Sequence, residues 1–214
     1  SGDGTLSQTL SQYQAVFEAP QGTGDYSRNI AFAVTTNAIA AAINAVDEGG
    51  SSATGLALAT GTAGSITNAL TIDSSQNVLV ELTTAQALYT LTPKLQVETT
   101  GSDAGLSAWR NENGAGGPYL FLGKSRGTSV HADTIVQDDD VLGSLMWVGA
   151  DGSDRNSHAA SIIAYVDGSP GTDDMPGRLE LNTSADGAAS PTLGLRIDSS
   201  QDVNIPNGGL AIGT

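Results

Sequence analysis

The stretch LRIDSSQDVNI, Leu195 to Ile205, is written almost word for word 125 residues earlier as LTIDSSQNVLV, Leu70 to Val80, with seven of the eleven positions identical. Each copy alternates. Leu195 and Ile197 share one strand face, Arg196 and Asp198 the other, and Val203 and Ile205 begin a return strand on alternate positions. Asp198 and the serines after it are residues that hydrogen-bond nearby backbone amides in turns. The repeated unit therefore reads as a compact β-hairpin with an apolar edge suited to stacking on a neighbour.

Away from the hairpins, the chain is poor in core material. Of 214 residues, 39% are hydrophobic and only 5% aromatic, while glycine supplies 27. That is a thin stock for a compact monomer, though well short of the low-hydrophobicity, high-charge signature of disorder. Eight Lys and Arg stand against 23 Asp and Glu, a net charge of -15. Such a chain repels phosphate backbones, so no nucleic-acid partner is expected. Cysteine is absent, which excludes disulfides and thiolate chemistry. No apolar run reaches membrane-spanning length, so no membrane insertion is expected. The opening SGDGTLSQ lacks an initiator Met, and the chain is expected to be a processed piece of a longer protein.

Ser1 to Gln12 reads as a linker, and YQAVFE (13–18) and NIAFAV (29–34) alternate as strands. The Ala-rich TTNAIAAAINAVDEGG predicts a short helix near residues 36–48, capped by Thr36 or Asn37 and stopped at Gly49. Ile39, Ile43 and Val46, spaced four and three apart, form its apolar stripe. Such a stripe either lies on a sheet or joins a parallel bundle of identical chains. Residues 49–65, mostly Gly, Ser, Ala and Thr, read as a low-complexity stalk. From Pro93 onward KLQVE, LSAWR, PYLFLG, DTIVQ, VLGSLMWVGA, SIIAYVDG and GRLELNT are candidate strands separated by turn-rich intervals, as in β-sandwiches. VLGSLMWVG and SIIAYV, the most apolar, are the expected central strands. The organisation expected is a connector over 1–92 and a β-rich domain over 93–214.

LTIDSSQNVLV and LRIDSSQDVNIPNGGLAIGT, together with YLFLGKSRG and AYVDGSPGTDDMPGRL, resemble tail-fibre proteins of tailed bacteriophages. The resemblance covers roughly the last 120 residues and the first hairpin. It departs from the family's usual hairpin at Gln76 and Gln201, where glycine is common, and a glutamine there costs on the order of 1 kcal/mol if it takes positive φ. Either the next residue, Asn77 or Asp202, is expected to take that conformation, or the turn differs in type. The resemblance implies a mainly β, elongated homotrimeric fibre segment in the virion, ending in a β-sandwich-like domain, with Ile39, Ile43 and Val46 as trimer-contact candidates. Its implied partners are two further copies, other tail proteins, and a host-surface glycan or outer-membrane receptor. Some relatives carry a cleavable C-terminal chaperone, and LAIGT is where such a segment ends.

No catalytic constellation stands out. GKSRG (123–127) matches the G-x-S-x-G elbow, but β-prone TSVHADTIV follows where a helix is required, so a glycine-flanked turn is expected. A phosphate loop fails too, because Pro118 stands where its first glycine belongs. The acids Asp138, Asp139 and Asp140, and Asp151 with Asp154, lack the twelve-residue calcium-loop spacing and read as solvated turns. No cofactor is expected; three copies about an axis would multiply local negative charge, which leaves an intersubunit calcium open. Trp109 and Tyr119 flank NENGAGGP and are the glycan-contact candidates, since aromatic faces beside Asn and Asp suit sugar stacking. The expected role is therefore structural and adhesive, not enzymatic. The alternatives are a tailspike-like polysaccharide depolymerase, which needs paired carboxylates, and a non-viral extracellular filament or adhesin.

Overall fold

The computed structural model describes residues 28–35, 38–47, 54–62 and 65–209, and every regular element among them is a β-strand. The contacts divide the chain into two units. The first takes residues up to Ala87 and Thr92–Leu106, and the second takes Leu88–Leu91 and everything from Ser107 onward.

The first unit is a six-stranded meander in sequence order: β1 (Arg28–Thr35), β2 (Ala38–Asp47), β3 (Thr54–Thr62), β4 (Ser65–Ile72), β5 (Val78–Val80) and β6 (Leu95–Val97). All pairs are antiparallel except β5 with β6, which needs the crossover from Glu81 to Lys94. Because side chains alternate across a strand, register decides the two faces. Ile30, Ile43, Leu58, Leu70, Val80 and Val97 form one cross-strand row, and Ala45, Leu56, Ile72, Val78 and Leu95 form the next row on the same face. On the opposite face lie Ala57, Thr71, Leu79 and Gln96, and these are the buried ones, Ala57 and Leu79 at 0% exposure and Thr71 at 1%. Gln96 holds the crossover over that face: its amide donates to the carbonyls of Gln86 and Pro93 at 3.1 and 3.0 Å and accepts the Gln86 N–H at 2.9 Å. The unit thus buries the face of Ala57, Thr71 and Leu79 and leaves Ile30, Leu56, Leu58, Leu95 and Val97 of the aliphatic face exposed.

Two sequence expectations are overturned here. Ala38–Asp47 is a strand, not part of a helix, and it pairs along both edges, with β1 and β3. Alanine's helical advantage is under 1 kcal/mol per residue, which pairing along both edges outweighs, and Ala42 is buried in the sheet at 5% exposure. The caps assigned to Thr36 or Asn37 and to Gly49 lie outside the described residues, as do the linker 1–12 and the strand 13–18. The supposed stalk 49–65 contains β3, an interior strand whose Leu56 and Leu58 alternate with buried Ala57 and Ala59. Small residues there serve close packing, not flexibility.

The second unit is a five-stranded antiparallel sheet in the order β11-β10-β9-β8-β7, built from β7 (Val141–Gly149), β8 (Ser157–Val166), β9 (Gly177–Thr183), β10 (Thr192–Ile197) and β11 (Val203–Asn204). Among the described residues no second sheet lies within this unit, so the expected sandwich is a single layer. VLGSLMWVG, expected at the centre, is the edge strand β7. LSAWR, PYLFLG and DTIVQ form no strands at all. Their β propensity is real, but propensity without a pairing partner gives only extended chain.

Both copies of the repeat are hairpins with one turn geometry. Asp73 and Asp198 each accept the amide of the residue three on, Gln76 and Gln201, at 2.9 Å. Their carboxylates also accept the amides of Asn77 and Asp202, at 2.8 and 3.1 Å. The left-handed position falls on the glutamines themselves, with φ of 64° at Gln76 and 68° at Gln201, and not on Asn77 or Asp202. The aspartate bonds on both sides of the turn hold each glutamine in place despite the steric cost. Gln76→Gly and Gln201→Gly are therefore expected to stabilise their units by about 1 kcal/mol each, read as a raised thermal midpoint; unchanged midpoints would refute the strain.

Candidate functional site

The second sheet also sorts its residues by face. Leu145, Ile162, Leu181 and Leu195 make one cross-strand row, and Ala164, Leu179, Ile197 and Val203 the neighbouring row on the same side. Leu145, Leu179, Leu181, Ile197 and Val203 are exposed in the single chain. Each unit therefore carries an apolar sheet face wide enough to be an association surface. Of the sequence-derived contact residues, Ile43 sits in the middle of the first unit's apolar row. Val46 pairs with Gly55 on the other side of that sheet, and Ile39 lies past the register shift that sets it opposite Ala33. The three do not share a face, because a spacing of three that unites residues on a helix separates them on a strand.

The polar face of the second sheet converges on Arg178, which sequence reading missed. Its Nε donates to Glu180 at 2.9 Å, and its Nη1 reaches the Val166 carbonyl at 3.2 Å, Asp167 at 3.3 Å and Asp139 at 2.8 Å. The guanidinium carbon stands 4.3 Å from the Tyr165 ring centroid, a cation–π contact. Burial disfavours the cation, but the hydrogen bonds it donates to Glu180, Asp139 and Asp167 outweigh it and the net shift is upward, so Arg178 stays charged. Asp167 accepts the Ser199 amide at 2.8 Å, which clamps the second hairpin to the end of β8 and lowers the carboxyl's pKa. The Asp138–Asp140 run splits three ways. Asp138 accepts the Gly168 amide at 2.7 Å, Asp139 takes Arg178, and Asp140 receives Arg126 at 2.6 and 2.8 Å. That fork, with the Gln137 amide, holds the Asp140 carboxyl well below the usual carboxylate range. Asp151 is likewise engaged, accepting the Ser153 and Asp154 amides at 2.8 and 3.0 Å. Among the described residues no three His, Cys, Asp or Glu side chains are gathered to hold a metal. The cluster's chemistry is that of a structural latch joining loop 137–140, β8, β9 and the hairpin turn.

Ser125 of GKSRG accepts the Gly127 amide at 3.0 Å and donates to the Thr134 carbonyl at 3.2 Å, the arrangement of a closed turn. His158 meets Tyr89 edge-on, with ring centroids 5.6 Å apart. Trp109 is 87% exposed, and among the described residues its ring contacts no other aromatic. Tyr119 stacks on Phe121 at 5.5 Å, not on Trp109, so the two glycan-contact candidates are not brought together.

The described residues form two single-layer β-sheets, each with a partly exposed apolar face, and the fold is similar to that of a phage tail-fibre domain. In particular, the chain superposes on the carboxy-terminal domain of the bacteriophage T5 L-shaped tail fibre with a TM-score of 0.65 at 14% identity, over 97% of this chain and 92% of that one. It also matches the form of that domain that retains its intramolecular chaperone domain, with a TM-score of 0.67 at 15% identity, over 98% of this chain and 64% of that one. At these identities what is shared is the fold. No protein-family model matches the sequence, and no curated protein matches it.

Proposed function

We propose that this chain is a structural segment of a bacteriophage tail fibre that assembles as a homotrimer in the virion and contributes to attachment at the host surface. The single observation that carries the proposal is the inverted burial of the first sheet, which covers Ala57, Thr71 and Leu79 and leaves Ile30, Leu56, Leu58, Leu95 and Val97 exposed. Such a face is stable in water only when something apolar covers it, and two further copies of the same chain supply a matching surface. The likeness of fold to a tail-fibre domain supports the same role. Attachment is multivalent: three weak receptor contacts held on one rigid body bind far more tightly than one. Trp109, exposed beside Arg110, Asn111 and Glu112, is the ring offered to a host-surface glycan. The polypeptide carries out no catalytic step.

Sedimentation equilibrium at low concentration tests the assembly. A species of three times the 21.6 kDa chain mass is expected, and a folded monomer at all concentrations would overturn it. Binding of the intact trimer to host cells, weakened by Trp109→Ala without change of mass, tests the attachment role.

A further inference from the structure

The run from Gly116 to Leu122, GGPYLFL, is an extended arm. It contains no bend or turn, and among the described residues its backbone makes no hydrogen bond to other backbone. Leu122 is anchored: a side chain at Gly143 of β7 would stand 2.6 Å from the Leu122 Cβ, so Leu122 rests on the sheet where glycine leaves room. The arm then leaves the sheet within one residue, for Phe121 is 85% exposed, and Leu120 and Tyr119 are exposed as well. An isolated strand carrying three large apolar side chains in water has nothing to stabilise it.

The same unit contains the complementary deficiency. Among the described residues β7 pairs only with β8, so its other edge is open over nine residues. VLGSLMWVG holds no charge and no proline, which are the devices that normally protect an open edge from further pairing.

We infer that the arm Gly116–Phe121, rooted on its own sheet at Leu122, is donated to a second copy of this chain and pairs as an added strand along the open edge of that copy's β7. The inference rests on the trimeric assembly proposed above and names the contact that closes it. The arm is long enough to form a strand of its own: six extended residues span roughly 20 Å, and paired strands lie about 5 Å apart. Tyr119 and Phe121, already stacked, lie on one side of the added strand and Leu120 on the other, as a two-sided strand requires. Pro118 fits as well, since proline is accommodated on an outermost strand with its nitrogen turned outward, and there it ends further pairing. The proline thus keeps a further strand from adding to the arm, while closure at three copies is set by the rotation between them.

The chain has no cysteine, so introduced thiols report cleanly. Two differently tagged chains, one carrying Leu120→Cys and the other Leu145→Cys or Met146→Cys, would be co-expressed and mildly oxidised. A disulfide between the two tags, absent from either chain alone, is the expected result, because bridging demands Cα atoms within about 7 Å. A chain carrying both Leu120→Cys and Leu145→Cys that instead closes an internal bridge would overturn donation, the arm then folding on its own sheet. A trimer in which the thiol introduced at position 120 stays freely alkylated and no mixed disulfide forms would also overturn it while leaving the trimer standing. A monomer would remove the trimer and the donation together. Hydrogen exchange on the unmodified protein gives an independent reading: the amides of Tyr119 and Phe121, which face β7 when the Pro118 nitrogen turns outward, should slow by about a hundredfold or more on assembly, and full exchange of both within the assembled protein would refute strand pairing.

Discussion

In the proposed trimer, Ile43→Asp is expected to convert the assembly to monomers. Ile43 lies between Ile30 and Leu58 in the first sheet's apolar row, on an interior strand that is paired on both sides at that position. The substitution leaves those backbone bonds untouched, and in the single chain the carboxylate can reach water because the face is uncovered. In the assembly it has no such escape. Taking one unpaired charge out of water costs several kcal/mol even after relaxation, and a symmetric trimer incurs that cost three times. Each 1.4 kcal/mol is a factor of ten in the association constant, so the loss is many orders of magnitude. Sedimentation should show a single chain with an unchanged far-ultraviolet spectrum, while Thr100→Asp, on an exposed loop, stays trimeric. A trimer surviving Ile43→Asp would place the interface elsewhere.

Arg178→Met destabilises the second unit by about 3 kcal/mol. The arginine side chain is only 11% exposed and its partner Glu180 14%, so removing the cation strands a carboxylate that water reaches poorly. The Tyr165 contact and the tie to the Val166 carbonyl go with it. Acid has a separate effect. The carboxyls of Asp140, Asp151 and Asp167 are all held below their ordinary values in the folded chain. Groups depressed in this way contribute stability that is fully present above the unfolded value near pH 4 and is lost as the pH falls through the folded ones. The thermal midpoint should thus be level above about pH 5 and decline below pH 4. The decline should persist in Arg178→Met, because the Ser199 amide is the chief partner of Asp167 and Arg126 that of Asp140. Thermal scans from pH 3 to 7 on both proteins check the two statements separately: an unchanged midpoint at pH 7 refutes the first, and an acid-insensitive variant the second.

The candidate site was only partly legible. Each acid of the Asp138–Asp140 run is visible in the sequence, and so is Arg178, but nothing local shows that Asp139 meets that arginine, Asp138 the Gly168 amide and Asp140 Arg126. Those pairings follow from β8 returning beside loop 137–140, a matter of hairpin length and register. Tyr119 likewise reads as a sugar-stacking ring from its neighbours in sequence, and only the extended course of the arm shows it beside Phe121 and outside any strand.

Features that depend on a few neighbouring residues could be read without coordinates. The two hairpins with their aspartate-held turns, the strands from Val141 to Ile197 with their alternating faces, and the exclusion of thiol chemistry all rest on chemistry acting over one turn or one strand. Other features waited on partners distant in the chain. Ala38–Asp47 became a strand because two neighbouring strands bond it along both edges, a gain that outweighs alanine's small helical preference. The first sheet buries Ala57, Ala59 and Leu79 and displays Leu56, Leu58 and Leu95, and β7 stands at an edge, because strand order and register are set by those distant partners. An alternating pattern specifies that a strand has two faces, but which face is covered depends on what packs against it.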